Sequence, residues 1–388
     1  MSLSSPLSLL SLKTSKLTSA HATQFIDKPR ALAIPCPFHQ SHETYGSQRE
    51  LTMLEFMLCG LIALGAAAEK PAAPAPVKLI FDTDMGNDVD DALALGVIHA
   101  LQSRGECELL AVTVTKDEAL CAPYIDAVNT FYGRPDIPIG VVKDGPTKQP
   151  SKYTFIVNEE VNGKQRYPHD LLNSNDAPDA TMLLRRILAE QPDHAVVIAQ
   201  VGFSTNLARL LETEGDDYSP LDGKELARRK VKFLSVMAGA FKPLNGQPHP
   251  EYNVVEDIPS AQKLTQSWPT PIIYSGFEIG LETALYKESL MFDYNYKADH
   301  ILDVSYRTYH GEYTDQPSWD LTSVLYAIRS ERGYFTLSPK GKVTYDDKGL
   351  TLFEESTEGR HQHLIVDAGQ AERVKEVLAT LASQPASK

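Results

Sequence analysis

Basic residues are outnumbered in this chain. It has 37 Lys and Arg against 51 Asp and Glu, a formal charge of −14. That balance argues against nucleic acid or an anionic membrane as a partner, since both select basic surfaces. Cysteine is sparse too. The four residues, Cys36, Cys59, Cys107 and Cys121, contain no C-x-x-C pair, so neither a zinc site nor a redox dithiol is indicated. Cys107 and Cys121 read as buried free thiols. A membrane-spanning helix needs about 20 apolar residues. The run Phe56–Ala68 has 13, too few for stable insertion. No internal repeat is visible.

That run has another reading. It looks like the apolar core of a signal peptide, with Ala66-Ala67-Ala68 as a small-residue cleavage site. Glu69-Lys-Pro-Ala-Ala-Pro-Ala-Pro76 then reads as a short extended linker. Export after cleavage near Ala68 is the expectation, to a periplasmic or extracellular location. The Ser-rich, acid-poor opening leaves an organellar transit peptide or a cytoplasmic location as alternatives. Residues 1–76 are thus assigned to targeting and linkage, and 77–388 to a single folded catalytic domain.

With 388 residues and 42% hydrophobic content, the chain can bury the core of an α/β domain of about 300 residues. From Val77 onward apolar runs and helical periodicity alternate. That pattern predicts an open, mostly parallel sheet with helices on both faces. Strands are expected near 77–83, 108–115, 137–142, 194–201, 231–237 and 271–276. Helices are expected near 90–102, 122–132, 179–190, 204–213, 257–267, 297–309, 318–330 and 368–382. Asp179 offers one helix cap, and Ser204 or Thr205 a better one. The stretch 333–366, broken by Pro339-Lys-Gly341 and Asp346-Asp-Lys-Gly349, reads as one or two hairpins.

What the chain has in excess lies at one turn. Asp82-Thr-Asp84-Met-Gly86-Asn87-Asp88-Val-Asp90-Asp91 follows the apolar run Val77–Phe81 and precedes an apolar helical pattern. Five carboxylates so close repel one another. A hard cation with oxygen ligands resolves the conflict. The carboxyl end of a strand in an α/β sheet is also where ligands bind. A solvated acidic turn is the bland alternative, but the run abuts apolar elements on both sides. An EF-hand wants Gly at the sixth place and Glu at the twelfth, between two helices. Here Gly86 is fifth and a strand precedes. A phosphatase with Asp82 or Asp84 as nucleophile accounts for Asp-x-Asp, not for Asp88-x-Asp90-Asp91.

This motif resembles the signature of the nucleoside hydrolases, the inosine-uridine preferring N-ribohydrolases: Asp-x-Asp-x-Gly-x-Asp-Asp after the first strand. Here Asn87-Asp88-Val89 stands where one residue is usual. The resemblance continues in Val201-Gly202-Phe-Ser-Thr205-Asn206, in Met237-Ala-Gly239, Asn245 and Glu251-Tyr-Asn253, and in Ser318-Trp319-Asp320. It implies calcium held by Asp84, Asp91, the Val201 carbonyl and Asp320. It implies Asp84 as the base that activates water. Asp90, Met237, Asn245, Glu251 and Asn253 would bind the sugar, with Asp82 and Asp88 orienting the ligands; Asp88 and Asp90 are exchangeable in these roles. Many members carry His before the last Asp. Trp319 stands there instead and offers stacking on a base, as in purine-preferring members. His249, His310, His361 and His363 are further sources of a leaving-group proton. Where members have Gly-Asn after the second strand, this chain has Thr115-Lys116-Asp117, with Asp117 as the stand-in for the Asn. The implied activity is calcium-dependent hydrolysis of ribonucleosides, by a homodimer or homotetramer. The alternatives are a non-catalytic, calcium-dependent nucleoside- or ribose-binding protein and a hydrolase of another ribosyl compound.

Overall fold

Strand β1 (Val77–Thr83) is buried along most of its length, because its alternate side chains serve two cores. Leu79 and Phe81 join one apolar cluster, and Ile80 joins the other. A strand covered on both faces reads as a near-continuous apolar run, here broken only by Lys78 at its start and Asp82-Thr83 at its carboxyl end. The computed structural model describes residues 74–386. The apolar run 56–68 and its expected cleavage site lie outside the described residues. Among the described residues no helix is long and apolar enough to cross a membrane.

The remaining strands are β2 (Cys107–Val114), β3 (Ile139–Val141), β4 (Glu160–Val161), β5 (Lys164–Gln165), β6 (Val196–Gln200), β7 (Val231–Met237), β8 (Ile272–Ser275), β9 (Thr336–Leu337), β10 (Gly341–Tyr345), β11 (Thr351–Glu355) and β12 (His361–Ile365). The main sheet runs β11-β10-β12-β8-β7-β6-β1-β2-β3, with β9 paired to β12. From β3 to β12 every neighbour pair on this path is parallel. The α/β expectation holds, and all six expected strands form. The stretch 333–366 departs from it. β10 and β11 make the expected hairpin, and β12 pairs antiparallel with β10 on one side but in parallel with β8 on the other.

Chain order reverses beside β1. The chain moves from β1 outward through β2 and β3, then returns to β6 on the other side of β1. The crevice beyond the carboxyl ends of β1 and β6 is therefore a topological switch point, where open α/β sheets bind ligands.

The eight expected helices form at Asp90–Ser103, Cys121–Phe131, Ala180–Ala189, Thr205–Leu210, Ile258–Ser267, Ile301–His310, Trp319–Arg329 and Ala368–Ala382. Their caps differ from expectation. The Asp179 side chain accepts from Met182 N and caps its helix, whereas Ser204 makes no capping bond. The Ser204 hydroxyl instead faces the Gln200 amide, and Thr205 donates to Asp257.

Candidate active site

The acidic turn begins one residue past β1. Gly86 has φ +106, and a Cβ there would lie 2.6 Å from the Ser151 hydroxyl. Glycine is needed on both counts. The 151–153 segment is stapled to this turn, with Lys152 N donating to Gly86 O (3.0 Å) and the Tyr153 hydroxyl accepting from Gly86 N (3.1 Å). Helix Asp90–Ser103 starts directly at the next two acids. Val89 supplies no side-chain cap, and Asp88 accepts from Asp90 N (3.2 Å). Carboxylates in a first turn are favoured by the helix dipole.

The turn opens onto a cavity of roughly 300 Å³. Six carboxylates are in its lining: Asp84, Asp88, Asp90, Asp91, Glu251 and Asp320. Val201 and Met237 line it from the ends of β6 and β7, and Asn253 from the short helix Tyr252–Val255. Eleven of the twelve sequence-derived site residues are thus in view, ten of them in the lining. Asp82 sits behind it. Its carboxylate accepts from Thr113 (2.6 Å) and Asn206 (2.9 Å), bracing β1 against β2 and helix Thr205–Leu210. Trp319 is the tenth lining residue.

Asn245 is the exception. It lies exposed, at φ +51, in a tight turn where Leu244 and Gln247 exchange backbone hydrogen bonds. Asn245-Gly246 is a hairpin-turn pair, and that local geometry takes the side chain out of the cavity lining.

Each remaining group has a specific hold. Asp91 accepts from the Thr83 hydroxyl. Asp90 accepts from Asp320 N (3.1 Å), joining the acidic turn to the start of helix Trp319–Arg329. The Asn253 amide donates to the carbonyls of Val201 (2.7 Å) and Met237 (3.2 Å). A carbonyl has a second lone pair, so Val201 retains acceptor capacity. Glu251 accepts backbone N–H groups from Gly239, Asn253 and Val254.

Burial dominates the electrostatics. It raises Asp82, Asp84 and Glu251 to about 7 and Asp88 to about 6. Asp91 and Asp320 are held well above the usual carboxyl range by burial, then by their acidic neighbours. So many crowded acids are stable only if protonated or shared with a cation. Oxygens of Asp88, Asp90 and Asp91 lie within 4.8 Å of one another, an all-oxygen donor set that fits a hard divalent cation.

Sequence reasoning missed a buried lysine. Lys116 is fully buried, and its ammonium donates to Asn87 Oδ1 (2.6 Å), whose amide donates to Asp84. Asp117, taken as the stand-in for the usual Asn, points elsewhere: it accepts from Gly145 N and pairs with Lys148. The parallel register explains this. Thr83 pairs with Val114, so the residue two past Val114 comes level with the acidic turn.

Aromatic rings line the same cavity: Phe277, Trp319, Tyr252 and Tyr309, together with Gln149, Pro150 and Lys152. Trp319 stacks on Phe277 at 5.2 Å and donates its indole N–H to Phe277 O (2.8 Å). Among the described residues no histidine lines the cavity. His361 is buried and accepts from Val343 N, His363 stacks on Phe241, His310 bonds Gln316, and His249 lies against the Phe277 ring.

Comparisons with known proteins agree with this picture. The family model described as inosine-uridine preferring nucleoside hydrolase matches residues 79–377. The pyrimidine-specific ribonucleoside hydrolase RihA of Citrobacter koseri is 27% identical over 221 residues, covering 55% of this chain and 64% of that protein. The protein of the same name from Klebsiella pneumoniae is 27% identical over 210 residues, covering 52% and 61%. The chain thus spans less than two thirds of the length of these curated relatives. Among solved structures, an inosine-guanosine nucleoside hydrolase aligns with TM-score 0.59 at 19% identity, over 79% of this chain and 98% of its own. A purine-preferring ribonucleoside hydrolase from Gardnerella vaginalis gives 0.58 at 18%, over 79% and 99%. At such identities the structures speak for the fold, and the family match over most of the chain speaks for descent: the chain belongs to the inosine-uridine preferring nucleoside hydrolase family.

Proposed function

We propose that this protein hydrolyses the N-glycosidic bond of ribonucleosides, releasing base and ribose, with calcium as its cation and purines among its preferred bases. One observation carries the reading: a single cavity is lined by both carboxylates and aromatic rings. A nucleoside has the matching halves, a hydroxyl-bearing sugar and a flat base.

Asp84, Asp91, Asp320 and the Val201 carbonyl would hold the cation, with Asp88 and Asp90 close by. When bound, it supplies Lewis-acid activation of a water and a grip on neighbouring sugar hydroxyls. The chain's residues do the rest. Asp84, facing the cavity beside the other ligands, takes the proton from the attacking water. Asp90 and Glu251 accept from sugar hydroxyls, and the carboxylate wall favours the positive charge that develops at the sugar ring. Trp319 and its neighbours stack on the base, a contact that contributes roughly 1–3 kcal/mol in comparable settings. The named relatives include pyrimidine-specific and purine-preferring proteins, so the purine preference rests on this aromatic wall.

The test is release of reducing sugar from inosine, guanosine, adenosine, uridine and cytidine by the purified protein, with calcium or with chelator. Chelator-sensitive release, faster with purines, is expected. Tight nucleoside binding without release would favour the binding-protein reading, to which the absence of histidine from the cavity lining lends support.

A further inference from the structure

Breaking the bond between sugar and base leaves an electron pair on the base. A base expelled as an anion departs slowly, so a proton donor beside the base speeds the reaction. Several lining groups with an N–H are already committed. The Trp319 indole donates to Phe277 O, and the Gln149 amide donates to Glu256 (2.8 Å). Two phenols remain, Tyr252 and Tyr309, together with one ammonium, Lys152. Burial raises both phenols to about 12; Glu256, Asp84 and Asp88 add to this at Tyr252, and Asp88 and Asp91 at Tyr309. Both phenols therefore hold their protons.

Lys152 is differently placed. Its backbone is pinned to the acidic turn through Gly86 O, so its side chain starts from a point fixed relative to the carboxylates of that turn. The ammonium lies 5.1 Å from the centre of the Tyr309 ring, against the aromatic wall. The residue is exposed at the mouth, where solvent can return a proton after each turnover.

We propose that Lys152 is the proton donor to the leaving base. This rests on the hydrolase reading above. In the step, the water oxygen bonds to C1′ while the C1′–N bond breaks and its electron pair goes to the base. A proton passes from Lys152 Nζ to a ring nitrogen or carbonyl oxygen of the base. The water's proton goes to the carboxylate, and the Lys152 amine recovers a proton from solvent.

The experiment compares wild type, Lys152→Met and Lys152→Arg on inosine or uridine and on p-nitrophenyl β-D-ribofuranoside. Nitrophenolate leaves without a proton. Lys152→Met should lose roughly 10²-fold or more in kcat on nucleosides, within the range of general-acid catalysis. It should lose less than about threefold on the nitrophenyl riboside. Lys152→Arg keeps the charge but does not release a proton, and should be as poor on nucleosides as the Met variant. Equal losses on both substrates, no loss on nucleosides, or nucleoside activity retained by the Arg variant would each overturn the proposal. So would the same selective loss in Tyr309→Phe or Tyr252→Phe. A wild type that cleaves neither substrate class would sink the hydrolase reading itself, and this proposal with it.

Discussion

Lys116 is the residue whose burial most needs a reason. An ammonium removed from water is costly unless it is paired and hydrogen-bonded. Here it meets Asn87 directly and stands beside Asp84 and Asp91, whose ionised forms it favours. It acts as a built-in cation under the acidic turn. Lys116→Met should therefore destabilise the fold by about 2–3 kcal/mol, the usual range for losing a buried hydrogen bond from a charged group. The loss should be larger in chelator than in calcium, because a bound cation replaces part of the missing charge. Denaturant unfolding in the two conditions checks this, and an equal loss in both would remove the charge argument. In the sequence this lysine was indistinguishable from a solvated loop residue. Its role depends on which strand lies beside β1, and pairing register is not written in any local pattern. The five acids of the turn were legible because crowding of like charge is itself a local signal. Asn245 was misread for the opposite reason: its spacing matched the sugar-binding pattern, while its neighbour Gly246 made it a turn residue.

At the scale of elements, the aromatic wall depends on a close approach between helices Phe277–Glu282 and Trp319–Arg329. Ser318 N donates to Gly280 O (3.1 Å), and a Cβ on Gly280 would lie 2.0 Å from the Trp319 ring. No rotamer adjustment of a methyl relieves that, so the indole must move. Gly280→Ala should displace Trp319 and raise KM for purine nucleosides by about tenfold, an overpacking cost of the 1–3 kcal/mol kind. Calcium affinity should be unchanged. The chain has two tryptophans, and Trp268 is fully buried with its N–H on Thr270, so a change in fluorescence reports on Trp319. An unaltered spectrum with an unaltered KM would refute the packing argument. The short helix Phe277–Glu282 was not legible in the sequence, being too short for a helical period to register. Helix Gly223–Lys230 was missed because Gly-Lys-Glu-Leu-Ala-Arg-Arg-Lys shows almost no apolar face. The parallel strands were legible because each is a short apolar run between turn signals.

For the whole molecule, the sheet and its switch point were readable from the alternation of runs, whereas the attachment of β12 was not. His361–Ile365 follows a hairpin and reads as part of it; only the place left open beside β8 makes it parallel. The same sheet brings Asp84 and Asp88 of the acidic turn together with Glu251 of a distant loop in one site, and this has a consequence for stability. Each of these carboxyls binds its proton more tightly folded than unfolded. Their contribution without metal is therefore complete below the ordinary carboxyl range and is lost as pH rises through about 6 to 7. Buried histidines oppose this. His99 and His300 are lowered to about 3 and His361 to about 4, so their contribution is lost as pH falls below the ordinary histidine range. A comparison of calcium with chelator at each pH cancels the histidines, which lie outside the cavity lining. What remains is competition between cation and protons for the same oxygens. Stabilisation by calcium should then be small at pH 5.5 and grow toward pH 7.5. With free calcium at about a hundred times its Kd it should reach about 2.7 kcal/mol. Thermal unfolding across that range, with calcium and with chelator, measures it. A calcium effect that is flat or falling with pH would place the cation somewhere other than on these carboxylates.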